Sequence, residues 1–189
     1  MRADARRNRA RILEVAVGAF AAEGLGVSVH EIARRAGVGT GTVSRHFPTK
    51  EALIEAIIAD RAGHLTGRGQ SLREAHAGDP AAAFTGFFAA LVEEMTADKG
   101  LADALAGAGI DLEAAVAGSG HDVMGMLGDL LAGAQRAGAI RADASLADVK
   151  ALMTGCLHDE HPLAGGEPGG TTGDARRRRV EIVCAGLLA

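Results

Sequence analysis

Apolar residues recur at spacings of three and four along nearly the whole chain, which places side chains on one face of an α-helix. Ile12, Ala16 and Phe20, for example, repeat at every fourth position near the N-terminus. No segment alternates apolar and polar residues convincingly, and β-branched residues are sparse, so strands are not expected. Because 48% of the residues are hydrophobic, the chain can bury one or two modest cores. The sequence predicts an all-α fold.

The N-terminal part contains clear signals for where helices begin and end. A first helix of about 18 residues is expected to stop at Glu23, just before a pair of glycines. The stretch SVHE predicts a capping box, in which Ser28 caps a second helix and Glu31 reaches back to the cap. Gly37 ends that helix, and Thr49 caps a fourth. The short third helix between them turns two apolar residues inward, Val43 and Phe47.

The segment AGVGTGTVSRHFPTKEAL, residues 36–53, contains three glycines at alternate positions and admits two interpretations. One is a phosphate-binding loop, which requires a buried strand before the glycines and a long helix after them. Here the glycines follow a capped amphipathic helix, and no GK[ST] signature appears. A helix, a tight glycine turn and a second short helix with outward polar residues are typical of a helix-turn-helix.

Charge is distributed unevenly along the chain. Residues 1–50 contain nine Lys or Arg against four Asp or Glu, a net charge of +5, whereas the remaining residues have a net charge of −9. A basic N-terminal part on an acidic body indicates that only the N-terminal part binds a polyanion. The alternative is that these charges simply form a solvated face.

The segment VSVHEIARRAGVGTGTVSRHFPTKEALIEAI resembles the DNA-binding head of the TetR/AcrR family of bacterial repressors, with a match over roughly residues 10–58. The family usually has Tyr where this chain has Ser44. This difference affects the expected affinity for DNA and the expected operator sequence, but not the class of protein. The resemblance implies an N-terminal three-helix helix-turn-helix head, residues 1–58, and a C-terminal helical ligand-binding and dimerisation domain, residues 59–189. It also implies a dimeric, ligand-responsive regulator that binds a palindromic operator in double-stranded DNA, most often as a repressor.

Chemistry and register together assign roles in DNA binding. The residues expected to read base edges are Thr40, Ser44 and Arg45, of which Arg45 is the strongest because its fork matches guanine O6 and N7. The residues expected to contact phosphates are Ser28, Thr42, His46 and Lys50. Gly41 belongs to the DNA-binding set as one of the small residues that let the helix lie deep in the groove. Two alternatives stay open, since His46 also suits a packing role and Ser28 a pure helix cap.

Beyond residue 60 the sequence predicts further helices, one begun by Asp79 with Pro80 and another by Ser145 with Asp148. Their apolar faces include the residues expected to line an effector cavity: Phe84, Phe88, Met95, Met124 and Met153. The polar groups expected to orient the ligand are His121 and Asp122. Methionine suits a surface that must repack. The alternative is that these residues are ordinary core.

The last two helices carry wide apolar stripes, and the stripe of the final helix contains Val180, Val183, Cys184, Leu187 and Leu188. In the resembling family such helices form a four-helix dimer interface, and a palindromic operator requires a two-fold protein. We therefore expect a homodimer. The alternative is that both stripes pack within one subunit.

Composition argues against other classes. No apolar run reaches the roughly 18 residues that span a bilayer, and no signal peptide is recognisable, so no membrane association and a cytoplasmic location are expected. Two cysteines form no disulfide framework. The segment CLHDEH, residues 156–161, contains metal-ligand residue types in a spacing that fits neither CxxC nor HExxH; a metal-responsive regulator is one alternative. No cofactor is expected. A small helical enzyme or ligand-binding protein without a DNA role is another alternative, although no paired catalytic carboxylates or nucleophile–base arrangement supports catalysis.

Overall fold

The computed structural model describes residues 2–157 and 172–189, and in this part of the chain the regular structure is entirely helical. The helices are α1 (Arg2–Glu23), α2 (Val29–Ala36), α3 (Thr40–His46), α4 (Lys50–Ala75), α5 (Pro80–Ala97), α6 (Lys99–Gly107), α7 (Leu112–Gly118), α8 (Val123–Arg136), α9 (Leu146–Leu157) and α10 (Thr172–Leu187). The all-α prediction is confirmed. None of the described helices is both long and apolar enough to cross a membrane.

The chain divides into two compact units. Unit 1 contains the chain up to His64 together with Ala97–Asp122, and unit 2 contains Leu65–Thr96 and the residues from Val123 onward. The helix α4 therefore contributes residues to both units. The unit that contains the helix-turn-helix also includes α6 and α7, which lie outside the segment 1–58. The division of function at residue 58 stays a prediction.

The core of unit 1 is formed by apolar residues of the first four helices, closed by Leu101 and Leu105 of α6. The helix α6 approaches α1 closely at Gly100. A Cβ atom there would lie 3.1 Å from the backbone oxygen of Ala21 and 3.0 Å from its Cβ. A side chain at this position would require α1 to shift by a few tenths of an ångström, because the contacts are with the backbone and Cβ of Ala21.

The predicted helix starts are largely confirmed. The Oγ of Ser28 accepts a hydrogen bond from the Glu31 N–H at 3.2 Å, and the Thr49 Oγ1 accepts one from the Ala52 N–H at 3.1 Å. Asp79 caps α5 through the Ala82 N–H at 3.0 Å. The Ser145 and Asp148 side chains each accept a bond from the backbone N–H of the other residue, which completes a reciprocal cap. These signals are local in sequence, so they could be read from it.

Two details of the first helices differ from expectation. The helix α1 has 22 residues rather than about 18, because the arginine-rich N-terminal segment continues it. The second half of the capping box at Ser28 is wrong: both carboxylate oxygens of Glu31 accept hydrogen bonds from Arg34 and Arg35 instead of reaching back. Two guanidinium groups one turn away outcompete a single backbone N–H for this carboxylate.

In unit 2, Phe84, Phe87, Phe88 and Leu91 are buried on one face of α5, as predicted. Met95 was expected on the same face but is 43% exposed, which is a correction. At the C-terminus, the Arg141 N–H donates to the Leu187 carbonyl at 3.1 Å, and the Ala189 N–H donates to the Ala139 carbonyl at 3.2 Å. These bonds fix the end of α10 on the segment that follows α8.

Candidate nucleic-acid interface

The turn between α2 and α3 depends on Gly37. Its φ of 67° and ψ of 32° lie in the left-handed region, where a residue with a side chain is strained. The turn is closed by the Val38 N–H, which donates to the Ala33 carbonyl at 3.0 Å. Gly39 then caps α3 with extended backbone and no side chain. This geometry is that of a helix-turn-helix, in which the second helix presents its outer face to the DNA groove.

The helix α3 is held to the core by few residues and exposes most of its surface. Val43 is buried within it, and Phe47, which caps its C-terminus, is buried as well. The residues that point away from the core are Thr40, Gly41, Ser44 and Arg45, and Thr42 and His46 are half-buried beside them. The structure therefore brings the predicted base-reading residues together on one exposed helical surface.

The arginines near this surface differ in whether their charge is already paired. On α2, Arg34 and Arg35 both hydrogen-bond to Glu31, and Arg35 also bonds to Glu23 at the end of α1. These bonds, the one from Arg34 first, lower the pKa of the Glu31 carboxyl from 4.5 to about 2. Within the described residues, Arg45 has no carboxylate at ion-pair distance. Arg45 is therefore available to a ligand outside the chain, whereas Arg34 is paired within α2 and Arg35 also joins α2 to α1.

Lys50 has contacts of its own within the chain. Its ammonium donates a hydrogen bond to the Leu25 carbonyl and lies 5.7 Å from the centroid of the Phe20 ring. The side chain thereby ties the start of α4 to the loop after α1. These contacts give Lys50 a structural role in the free protein, and its contact with a phosphate stays a prediction.

Three further polar side chains lie at or beside α3. The Oγ1 of Thr40 is 3.3 Å from the Nδ1 of His30, an exposed α2 residue that sequence reasoning did not single out. The His46 ring lies 6.0 Å from the Phe47 ring, centroid to centroid, at a tilted angle. Ser28 uses its hydroxyl as a cap. The packing alternative for His46 and the capping alternative for Ser28 both have a matching contact, and a role for either residue in DNA binding stays untested.

Two arginines of α1 also reach the helix-turn-helix. The Arg9 guanidinium lies 5.6 Å from the Phe47 ring centroid and 3.8 Å from the Asp60 carboxylate of α4. The Arg11 guanidinium lies beside the turn, 3.5 Å from the position that a Cβ of Gly37 would occupy. Sequence reasoning counted these charges but assigned them no position. The signal that could have placed them is the continuation of the helical spacing back from Ile12.

The predicted effector residues belong to both units of the chain. Phe84, Phe88 and Met153 are buried in unit 2, Met124 is half-buried there, and Met95 is exposed. His121 belongs to unit 1, where its ring packs against Gly63 beside Asp60 and His64. None of the predicted effector residues lines the pocket of about 540 Å³ in unit 2, whereas His121 lines a smaller pocket in unit 1. Their role in effector binding stays a prediction.

The metal-site alternative falls mostly outside the described structure. Four of the residues in this segment lie outside the described part of the chain: His158, Asp159, Glu160 and His161. Within the described part, no group of three or more His, Cys, Asp or Glu side chains could hold a metal ion. Cys156 is buried, and burial raises the pKa of its thiol.

The last helices keep part of their apolar surface exposed. Val180 and Leu187 of the predicted stripe are buried within the chain, and Val183 and Cys184 are half-buried. By contrast, Leu188 is 49% exposed, Leu152 on α9 is 39% exposed and Ile182 on α10 is 70% exposed. The stripe is thus divided between an inner face and an outer face, and the outer face includes Ile182, which lay outside the predicted stripe.

Comparison with known proteins identifies relatives for both parts of the chain. The family model described as bacterial regulatory proteins, tetR family, matches residues 12–57. The model described as transcriptional regulator SbtR-like, C-terminal domain, matches residues 79–189.

Solved structures extend the similarity to the whole chain. The crystal structure of a TetR transcription regulatory protein from Mycobacterium vanbaalenii is 45% identical, with a TM-score of 0.74 and coverage of 100% of this chain and 99% of that one. A TetR transcriptional regulator from Streptomyces coelicolor is 33% identical, with a TM-score of 0.66 and coverage of 95% and 98%. An HTH-type transcriptional regulator of Staphylococcus aureus (strain USA300) is 44% identical over 59 residues, which are 31% of this chain and 32% of that protein.

Proposed function

The chain belongs to the TetR family of bacterial regulatory proteins, whose members are DNA-binding transcriptional regulators, and we propose that it is a ligand-responsive repressor. In this proposal a homodimer binds a palindromic operator and is released from it by a small molecule. The observation that carries the proposal is the surface of α3, which is anchored by Val43 and Phe47 and leaves four of its polar or small residues exposed.

Base reading is assigned to three exposed residues of α3, namely Thr40, Ser44 and Arg45. Arg45 is the principal reader because its charge is uncompensated among the described residues and its fork can donate two bonds to one guanine. Ser44 is shorter than the Tyr that the family usually has, and Gly41 adds no side chain. The backbone of α3 can therefore approach the base edges closely.

Phosphate binding is assigned to residues on and beside α3. They are Ser28, Thr42, His46 and Lys50, to which the structure adds a reason to include Arg11. The Arg11 guanidinium lies beside the turn that precedes α3, and no carboxylate of the described chain pairs with it. A cation at this position is well placed to neutralise the phosphate that a helix-turn-helix holds near the start of its recognition helix.

Dimerisation is assigned to the outer face of α9 and α10. Leu152 on α9, Ile182 on α10 and Leu188 directly after α10 are large apolar residues that remain exposed. An exposed apolar patch is typical of a protein–protein contact, and we assign such a contact to these side chains. A two-fold dimer through this face gives two copies of α3, as a palindromic operator requires.

The remaining parts of the proposal follow from the site of action. A regulator that binds chromosomal DNA and responds to a metabolite works in the bacterial cytoplasm. The effector is assigned to unit 2, which the SbtR-like C-terminal model largely covers.

Whether the protein represses or activates is tested with a promoter–reporter pair. An operator selected from a random duplex library is placed so that it overlaps the start of transcription. Expression of the full chain is expected to lower reporter output, and the Arg45→Ala variant is expected to restore most of it. Higher output on expression of the unaltered protein would contradict repression while leaving DNA binding intact.

A further inference from the structure

Unit 2 contains a pocket of about 540 Å³ lined by residues from the end of α4, the start of α5 and α8. The volume lies within the range of about 300–1,000 Å³ that is usual for small-molecule sites. Two guanidinium groups line it, Arg73 from α4 and Arg136 from α8, and the imidazole of His76 lies with them. We call this the Arg73–Arg136 pocket.

The charge of this pocket is not balanced from within the described chain. Arg73 donates a hydrogen bond to the neutral side chain of Gln70, and neither pocket arginine has a carboxylate within ion-pair distance among the described residues. Arg68, five residues before Arg73 on α4, is instead paired with Glu93 at 3.4 Å. One carboxylate, that of Asp129, lines the pocket against two arginines. The pocket therefore has an excess of positive charge.

Part of the pocket lining is apolar. Ala83 and Leu130 are buried and form part of the lining. Gly133 lies on the same face of α8, three residues before Arg136. A Cβ at Gly133 would meet only the Arg136 Nη2, at 3.9 Å, so the space in front of it is empty of other protein atoms.

The geometry points to the Arg73–Arg136 pocket as a binding site for an organic anion with an apolar body. Arginine binds carboxylates and phosphates through two parallel hydrogen bonds, and such charge-assisted bonds are about twice as strong as neutral ones. The acid group of the ligand lies between Arg73 and Arg136, and its apolar body lies on Ala83 and Leu130. This inference rests on the proposed ligand response and names the chemical class of the effector.

Isothermal titration calorimetry on the full chain tests the inference with four probes that share one alkyl chain: octanoate, octyl phosphate, octylamine and 1-octanol. Saturable binding is expected for octanoate or octyl phosphate, and the stronger of the two identifies a carboxylate or a phosphate headgroup. Octylamine and octanol are expected to bind at least about tenfold more weakly, since they lack the charge that the guanidinium groups recognise. Equal binding of octylamine, or no binding of either anion, would overturn the inference.

Variants locate the binding. Arg73→Gln and Arg136→Gln are each expected to weaken anion binding about tenfold or more, because each removes one charge-assisted contact. Both side chains are exposed, so the fold does not depend on them. Arg68→Gln is the matched control on the same helix and is expected to leave binding unchanged. Asp129→Asn is expected to tighten binding severalfold, because it removes a like charge from the lining. An equal effect of Arg68→Gln and Arg73→Gln would contradict the assignment.

Failure of this inference and failure of the proposed function are distinguishable. Calorimetry measures anion binding to the pocket in the absence of DNA. Operator binding by the ligand-free protein measures the proposed DNA-binding function in the absence of a ligand. If the anion binds and Arg73→Gln abolishes that binding, the site is supported even where the operator complex persists. Persistence of the operator complex at saturating anion would count against the proposed release mechanism alone.

Discussion

Replacing Arg45 by alanine isolates the base-reading part of the proposed interface. The side chain is exposed on α3 and is not paired with any carboxylate in the described part of the chain. The helix itself is held by Val43 and Phe47, whose burial does not depend on Arg45. The variant is therefore expected to keep its fold, and a change in DNA affinity reports the contact with DNA.

The expected loss of binding free energy in Arg45→Ala follows from the unpaired state of Arg45. The guanidinium breaks no internal ion pair when it binds DNA. The full free energy of a bidentate contact with guanine, about 1–3 kcal/mol, is therefore available. This corresponds to a loss of roughly 5- to 150-fold in affinity per half-site. The loss should appear mainly as relaxed discrimination at one base pair per half-site. Binding to random duplex DNA should fall much less, because that binding depends on phosphate contacts.

The assay is fluorescence anisotropy at one fixed salt concentration, with the selected operator and a random duplex of equal length. Arg34→Ala is the matched control, since it removes an exposed arginine of the same domain that is bonded to Glu31. The control should leave the ratio of operator to random affinity unchanged. Equal weakening of both duplexes by Arg45→Ala would refute the reasoning. Arg45 would then be a phosphate contact, and Thr40 and Ser44 would be the remaining readers.

Three further results are expected. Lys50→Ala should flatten the slope of log K against log salt by about 0.9 in anisotropy titrations, and an unchanged slope would leave Lys50 with its contact to Leu25 alone. Ile182→Glu should give monomers by light scattering because it places a charge on the outer face of α10, and a variant that stays dimeric would point to another interface. In urea denaturation, Glu31→Gln should lower the free energy of unfolding near neutral pH. Because the pKa of Glu31 in the folded protein lies below its ordinary value, this difference should shrink as the pH falls from about 4.5 towards 2. A difference in unfolding free energy that is independent of pH would contradict this prediction.

The Leu187 side chain shows why the dimer test uses a different residue. The apolar stripe of the last helix includes Leu187, but its side chain is buried within the chain and its carbonyl accepts the Arg141 N–H. A charge at this position would unfold the region whether or not a dimer forms. Periodicity alone cannot separate the face of a helix that packs inside a subunit from the face that packs against another.

Local signals explain what the sequence predicted well. The caps at Ser28, Thr49 and Ser145 involve atoms three residues apart, and the left-handed turn at Gly37 depends on one residue type. The exposed face of α3 follows from the inward position of Val43 by helical register. The family resemblance, confirmed by the comparisons, lies in the segment that contains Ser28, Gly37, Val43 and Thr49.

Tertiary contacts explain what the sequence did not predict. The close approach of Gly100 to Ala21 joins residues 79 positions apart, and no local pattern marks it. The pairing of Arg35 with Glu23 likewise requires the folded arrangement of α1 and α2. Among the predicted effector residues, Phe84 is fully packed in the core. A phenylalanine that lined a cavity would have the same helical spacing in the sequence. Hydrophobic pattern thus identifies the core but not the cavities within it.

Selection from a random duplex library with the full-length protein, followed by footprinting of the enriched sequence, tests the central claim most directly. The account predicts an enriched two-fold symmetric site whose half-site centres lie about one helical turn of DNA, 34–36 Å, or a multiple of it, apart. It also predicts that Arg45→Ala loses preference at one base pair in each half. Enrichment of no sequence, or of a single asymmetric site insensitive to Arg45, would contradict an account in which two copies of α3 read a palindrome.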